Sequence, residues 1–112
     1  MNARIRNAKI IAVDIDLTLT NEECWTEKEC LLATPKWEIV EAVRSIFHEK
    51  YIVLSTSRKW ETLAVPTLNW LTKYNIPYNA IDFRKTCCDL LVDDKAITPG
   101  DFLKALKAEP YP

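Results

Sequence analysis

The chain has 112 residues, 48% of them hydrophobic and 28% charged, enough for one core and too few for two ordinary domains, so residues 1–112 are expected to form a single domain. A formal net charge of −1, with Lys and Arg spread along the chain, gives no basic field for a phosphodiester backbone and argues against general nucleic-acid binding. The one glycine, Gly100, excludes Gly-rich loops that cradle phosphates by backbone approach, and no apolar segment nears the roughly 20 residues that span a bilayer.

In chain order, Met1-Asn2-Ala3-Arg4-Ile5-Arg6 reads as the entry to a strand rather than as a signal peptide. The apolar run from Lys9 to Val13 is the first predicted strand, and it ends in Asp14-Ile15-Asp16-Leu17-Thr18. Thr20 to Thr34 fits neither helical nor strand period. It is the longest irregular connection, equally suited to a substrate-facing role, with Trp25 as the contact to test, or to a small hairpin packed back on the domain. Ile39, Val40, Val43, Ile46 and Phe47 recur at helical spacing behind Pro35. Tyr51 to Leu54 is a second strand, and Leu68, Leu71 and Tyr74 make a helical stripe opened by Pro66 and closed by Asn75-Ile76-Pro77. A weak strand around Ala80 to Phe83 and a stronger one at Leu90 to Val92 precede Thr98-Pro99-Gly100-Asp101. That tetrad is a helix start for Phe102, Leu103 and Leu106. The order predicts an α/β layer fold with a mainly parallel sheet of about four strands. Cys24, Cys30, Cys87 and Cys88 lack the paired spacing of a zinc site, so free thiols in a reducing, cytoplasmic compartment are expected.

In such a sheet the ligand crevice lies outside the carboxyl ends of the strands. There the sequence places Asp14 and Asp16, then Ser55-Thr56-Ser57-Arg58, then Asp93-Asp94, with Lys85 just before the last strand. Carboxylates gathered together repel unless a cation sits among them, and an oxygen-only set without histidine suits magnesium. A metal, a hydroxyl and an ammonium group around a phosphate would leave an aspartate able to attack phosphorus.

Asp14-Ile15-Asp16-Leu17-Thr18, Thr56, Lys85 and Asp93-Asp94, in that order between about Lys9 and Leu103, resemble the four-motif set of the haloacid dehalogenase (HAD) superfamily. The resemblance implies a HAD-like Rossmannoid three-layer fold without a cap domain. It makes Asp14 the nucleophile of an aspartyl-phosphate and Asp16 the general acid. Thr56 and Lys85 would be the phosphoryl ligands, and Asp14, Asp16, Asp93 and Asp94 the magnesium set. Leu54-Ser55-Thr56-Ser57-Arg58 and Val92-Asp93-Asp94-Lys95-Ala96-Ile97 are further similar to small capless members found among capsular-polysaccharide biosynthesis proteins, which suggests a sugar phosphate. The implied function is a magnesium-dependent phosphatase of a small phosphorylated metabolite, with Ser57 and Arg58 beside Thr56 and Lys85 as substrate contacts. Without a cap, either the substrate is large or a second subunit covers the opening. Leu17 departs from the glycine usual after the second aspartate.

Two other classes compete. A receiver-like phosphoaspartate signalling module has a similar length, but its acceptor belongs on a middle strand, where this chain has Ser55-Thr56-Ser57. A catalytically silent relative serving as a binding protein is the other. Plainer roles also stand beside the sharp ones: helix capping for Ser57, a surface ion pair for Arg58, a solvated charge for Lys85, a helix-end contact for His48 and packing for Trp37, Trp60 and Trp70.

Overall fold

The computed structural model of the chain describes residues 1–84, 90–92 and 97–107. The elements run α1 (Ala3–Asn7), β1 (Ile10–Asp14), α2 (Glu27–Leu32), α3 (Trp37–Ile46), β2 (Tyr51–Ser55), α4 (Trp60–Lys73), β3 (Ala80–Asp82), β4 (Leu90–Val92) and α5 (Pro99–Lys107). The four strands form one sheet in the order β3-β2-β1-β4, parallel at every pairing. This is the expected Rossmann-like α/β architecture, with no cap inserted among the described residues.

Successive strand residues point to opposite faces, and Ile11, Ala12 and Val13 are all fully buried, so both faces of β1 are covered. A strand buried on both sides has to be apolar throughout, which is why β1 reads as a continuous run instead of an alternating one. In α3, the buried positions Ile39, Val40, Val43 and Ile46 form the stripe that the spacing predicts. In α5, Thr98 Oγ1 accepts from the Asp101 N–H at 3.1 Å, the cap read from sequence, and Phe102 and Ala105 are buried.

Three elements differ from expectation. Residues before β1 form a helix, not a strand. Asn2 Oδ1 accepts from the Ile5 N–H at 3.0 Å, the Asn2 N–H donates to the Ala105 carbonyl at 2.9 Å, and Ile5 is fully buried. Five residues with one core anchor are too short to show a period. Helix α4 starts at Trp60, with Pro66 inside it. The proline removes one backbone bond, but Leu63, Ala64, Thr67, Trp70 and Leu71 bury a single stripe that runs through it, and that burial carries the helix across. Its end is a Schellman motif: Asn75 takes φ 52°, its N–H bonds Thr72 O at 3.1 Å, and the Ile76 N–H bonds Leu71 O at 3.1 Å.

The third difference is within Thr20 to Thr34, where α2 stands. Thr26 and Glu29 form a capping box, each side chain accepting from the other's backbone N–H. An antiparallel bridge between Thr20 and Pro35 closes the neck of the segment, and α2 packs against α4, where the Trp70 indole N–H donates to the Ala33 carbonyl at 2.8 Å.

Candidate functional site

The parallel register aligns the strand ends. Asp14 lies opposite Ser55, and Ser55 opposite Asp82, so a carboxylate, a hydroxyl and a carboxylate occupy one rung at the carboxyl edge. On the other side of β1, Val13 pairs with Val92. Asp93, Asp94 and Lys85 lie outside the described residues. Thr56 is buried; its N–H donates to the Asp82 carbonyl at 2.9 Å and its hydroxyl accepts from the Arg58 N–H at 3.1 Å, which shapes the turn out of β2. Ser57 is exposed and borders two clefts.

Asp16 and Arg58 hold one another. Arg58 Nη2 donates to Asp16 Oδ1 at 2.7 Å and Nε to Oδ2 at 3.2 Å, while Nη1 donates to Thr67 Oγ1 at 2.9 Å. Burial pushes the guanidinium toward neutrality. The hydrogen bonds and charge of Asp16 outweigh it, leaving the Arg58 pKa above the ordinary arginine value. Asp16 also accepts from the Cys24 N–H at 3.1 Å. The sequence suggests a general acid for Asp16 and, evenly, an anion contact or an ion pair for Arg58; the fold makes each the other's partner.

The turn that follows Asp16 bends through Leu17, at φ 61°. The Leu17 N–H donates to Thr20 Oγ1 at 3.2 Å and Lys36 Nζ donates to the Leu17 carbonyl at 3.2 Å, so polar contacts fix a conformation that a β-carbon disfavours. Beside this turn Cys24 is buried, and burial above all pushes its thiol up to about 12, with Arg58 pulling it down and Asp16 adding to the rise.

The two clefts share Ser57, Arg58 and Lys59. The larger, about 590 Å³, is bounded by Trp60, Asp82, Phe83 and Arg84. Trp60 is 64% exposed and meets Phe83 edge to face at 6.1 Å between ring centroids. The smaller, about 380 Å³, is bounded by Asp16, Glu23, Cys24, Trp25, Thr62 and Leu63, with Trp25 73% exposed. Trp60, expected only to pack, and Phe83, to which the sequence analysis gives no role, meet at this edge. The signal was there: Lys59-Trp60 and Phe83-Arg84 follow the ends of neighbouring strands, so an aromatic and a cation leave the same sheet edge twice.

The fold is therefore a parallel α/β layer with its polar and aromatic groups at the carboxyl edge, and solved structures share it. A chain of the Pnkp1/Rnl/Hen1 complex superposes with a TM-score of 0.60 at 18% identity, over 70% of this chain and 29% of that one. A chain of the Pnkp1/Rnl/Hen1 RNA repair complex gives 0.58 at 16% identity, over 89% of this chain and 31% of the other. This chain thus spans under a third of the length of either. No protein-family model matches the chain, and no curated protein matches it.

These findings correct the haloacid dehalogenase assignment. No family model supports the motif order, and the neighbours that share the fold are chains of the Pnkp1/Rnl/Hen1 RNA repair complex. The magnesium-dependent phosphatase of a small phosphorylated metabolite falls with that assignment, and so does a catalytically silent relative of the same superfamily. The hydrolase label falls with it; among the described residues no three His, Cys, Asp or Glu side chains gather as metal ligands, and Asp93 and Asp94 lie outside those residues. The exclusion of nucleic acid, argued from net charge, also gives way, because neighbours of this fold sit in an RNA repair complex. No helix of the described residues is long and apolar enough to cross a membrane.

Proposed function

We propose that this chain binds single-stranded RNA at the carboxyl edge of its sheet, as a module of an RNA-processing assembly. The observation that carries the reading is the exposed Trp60 set edge to face against the half-buried Phe83, with Lys59 and Arg84 adjoining them in sequence on the rim of one cleft. A base stacked on an exposed aromatic gains about 1–3 kcal/mol without regard to sequence, and neighbouring cations take the phosphates. A net charge of −1 is no obstacle when the cations are local, and the few cations on this rim set a small number of phosphate contacts and hence a shallow salt dependence. Membership of the structural neighbours in an RNA repair complex supports the same direction. A cytoplasmic setting fits the free thiols of Cys24 and Cys30.

The test is fluorescence anisotropy with a labelled short single-stranded RNA and, as a control, an RNA hairpin with a minimal loop. The reading expects the single strand to bind better than the hairpin, with affinity falling about tenfold in Trp60→Ala. Equal binding of both RNAs, or a Trp60→Ala protein that binds as well as the parent, would overturn it.

A further inference from the structure

The smaller cleft differs in chemistry from the larger. Its buried cation, Arg58, is already neutralised by Asp16, so the floor offers no fixed positive charge to an anion. Its rim carries an indole, Trp25, and a carboxylate, Glu23, which makes no hydrogen bond or ion pair among the described residues. The backbone that presents them is fixed on both sides: the Cys24 N–H donates to Asp16 Oδ1 at 3.1 Å and the Trp25 N–H to Glu29 Oε1 at 3.1 Å. What is left for a ligand to order is the two exposed side chains.

We infer that this cleft is a guanine subsite, which stacks a base on Trp25 and reads its Watson–Crick edge with Glu23. The inference rests on the RNA-binding reading and deepens it. A carboxylate presents two acceptors side by side. Guanine alone among the four bases answers with two adjacent donors on that edge, N1–H and the N2 amino group. Adenine, cytosine and uracil each set a donor beside an acceptor, which would bring a lone pair against a carboxylate oxygen. The cleft volume, about 380 Å³, lies in the range of pockets that hold small ligands, roughly 300–1,000 Å³. Because Ser57 and Lys59 border both clefts, a strand with one base on Trp60 would pass over that segment to reach Trp25.

Anisotropy with short uridine strands carrying one guanine, one inosine or one adenine tests this, comparing the parent protein with Glu23→Gln, Trp25→Ala and Trp25→Phe. The parent should bind the guanine strand about tenfold tighter than the all-uridine strand, with inosine between them because it lacks the N2 amino group. Glu23→Gln should bring the guanine-to-uridine ratio close to one, since an amide sets a donor against a donor. Trp25→Phe should keep most of the guanine preference and Trp25→Ala should lose it. If the RNA binds in a Trp60-dependent way with no guanine preference, or if the preference survives Glu23→Gln, the subsite is wrong and the RNA reading stands. If the parent protein binds none of these strands, both are wrong.

Discussion

Arg58 Nη2 stands 2.7 Å from Asp16 Oδ1 across 42 positions of sequence, and the Arg58 side chain is 1% exposed while that of Asp16 is 17% exposed. The pair joins the turn after β1 to the exit of β2, and through Thr67 it reaches α4. Removing one partner of a buried pair strands the other charge, an effect of about 3–5 kcal/mol, and the partial hydration of Asp16 favours the lower end. Arg58→Met should therefore destabilise the fold by about 3 kcal/mol. The double variant Asp16→Asn with Arg58→Met should lose less than Arg58→Met alone, because no charge is left uncompensated. Urea unfolding of the parent, both singles and the double measures this; a double that loses the sum of the singles would show that the two residues act independently.

How much of this was legible depends on the range of the signal. The parallel sheet could be read because β1 is buried on both faces and so is apolar without a break at Ile11, Ala12 and Val13. The start of α5 could be read because a cap is a local pattern, and by the same rule Thr26-Glu27-Lys28-Glu29 announces α2, a signal that the sequence reading missed. The Asp16–Arg58 pair and the Trp60–Phe83 contact join residues far apart or in different elements, and no periodicity reports on them. The family assignment failed for a related reason. Every parallel sheet releases polar residues at its carboxyl edge, so a few Asp, Thr and Lys side chains in order at strand ends follow from the architecture as readily as from a shared chemistry.

Burial raises the Cys24 thiol to about 12, and it raises Cys30 as well, so neither is a nucleophile near neutrality. At about pH 8 the Cys24 thiolate is on the order of one part in ten thousand, whereas a thiol at the ordinary value of 9.0 would be roughly a tenth ionised. Iodoacetamide treatment of the folded protein, followed by peptide mapping, should leave the peptides carrying Cys24 and Cys30 unmodified. In urea both should react. Rapid labelling of Cys24 under native conditions would mean that the Glu23 to Trp25 segment opens readily.

Glu22 accepts from the Thr34 hydroxyl at 2.6 Å and from the Thr34 N–H at 2.8 Å. The Thr34 side-chain bond first, then its backbone bond, lower the Glu22 carboxyl below 4.5, with burial opposing them slightly. A depressed folded-state value means that the unfolded chain takes up the proton first as pH falls. The stabilisation is thus complete above about 4.5 and is lost as pH drops through the folded value. Glu22 is largely solvated, so the effect is local: exchange of the Thr34 amide should accelerate on acidification in the parent and change less in Glu22→Gln. An equal response in both proteins would remove Glu22 as the cause.

Leu17 is the one residue of the turn after β1 with a positive φ, 61°, and its side chain is 41% exposed. A non-glycine residue held there carries roughly 1–2 kcal/mol of strain, and replacement by glycine returns about 0.5–1 kcal/mol of that through the added freedom of the unfolded chain. The exposed side chain gives up only part of a leucine's burial. Leu17→Gly should accordingly leave stability within about 0.5 kcal/mol of the parent, the relief of strain offsetting the lost burial and the added freedom of the unfolded chain, while Leu17→Val, whose branch at the β-carbon crowds the same conformation, should destabilise it. Thermal melts of the three proteins decide the matter. A Tm for Leu17→Gly well below the parent's would show that the leucine side chain contributes more by covering the turn than its backbone conformation takes away.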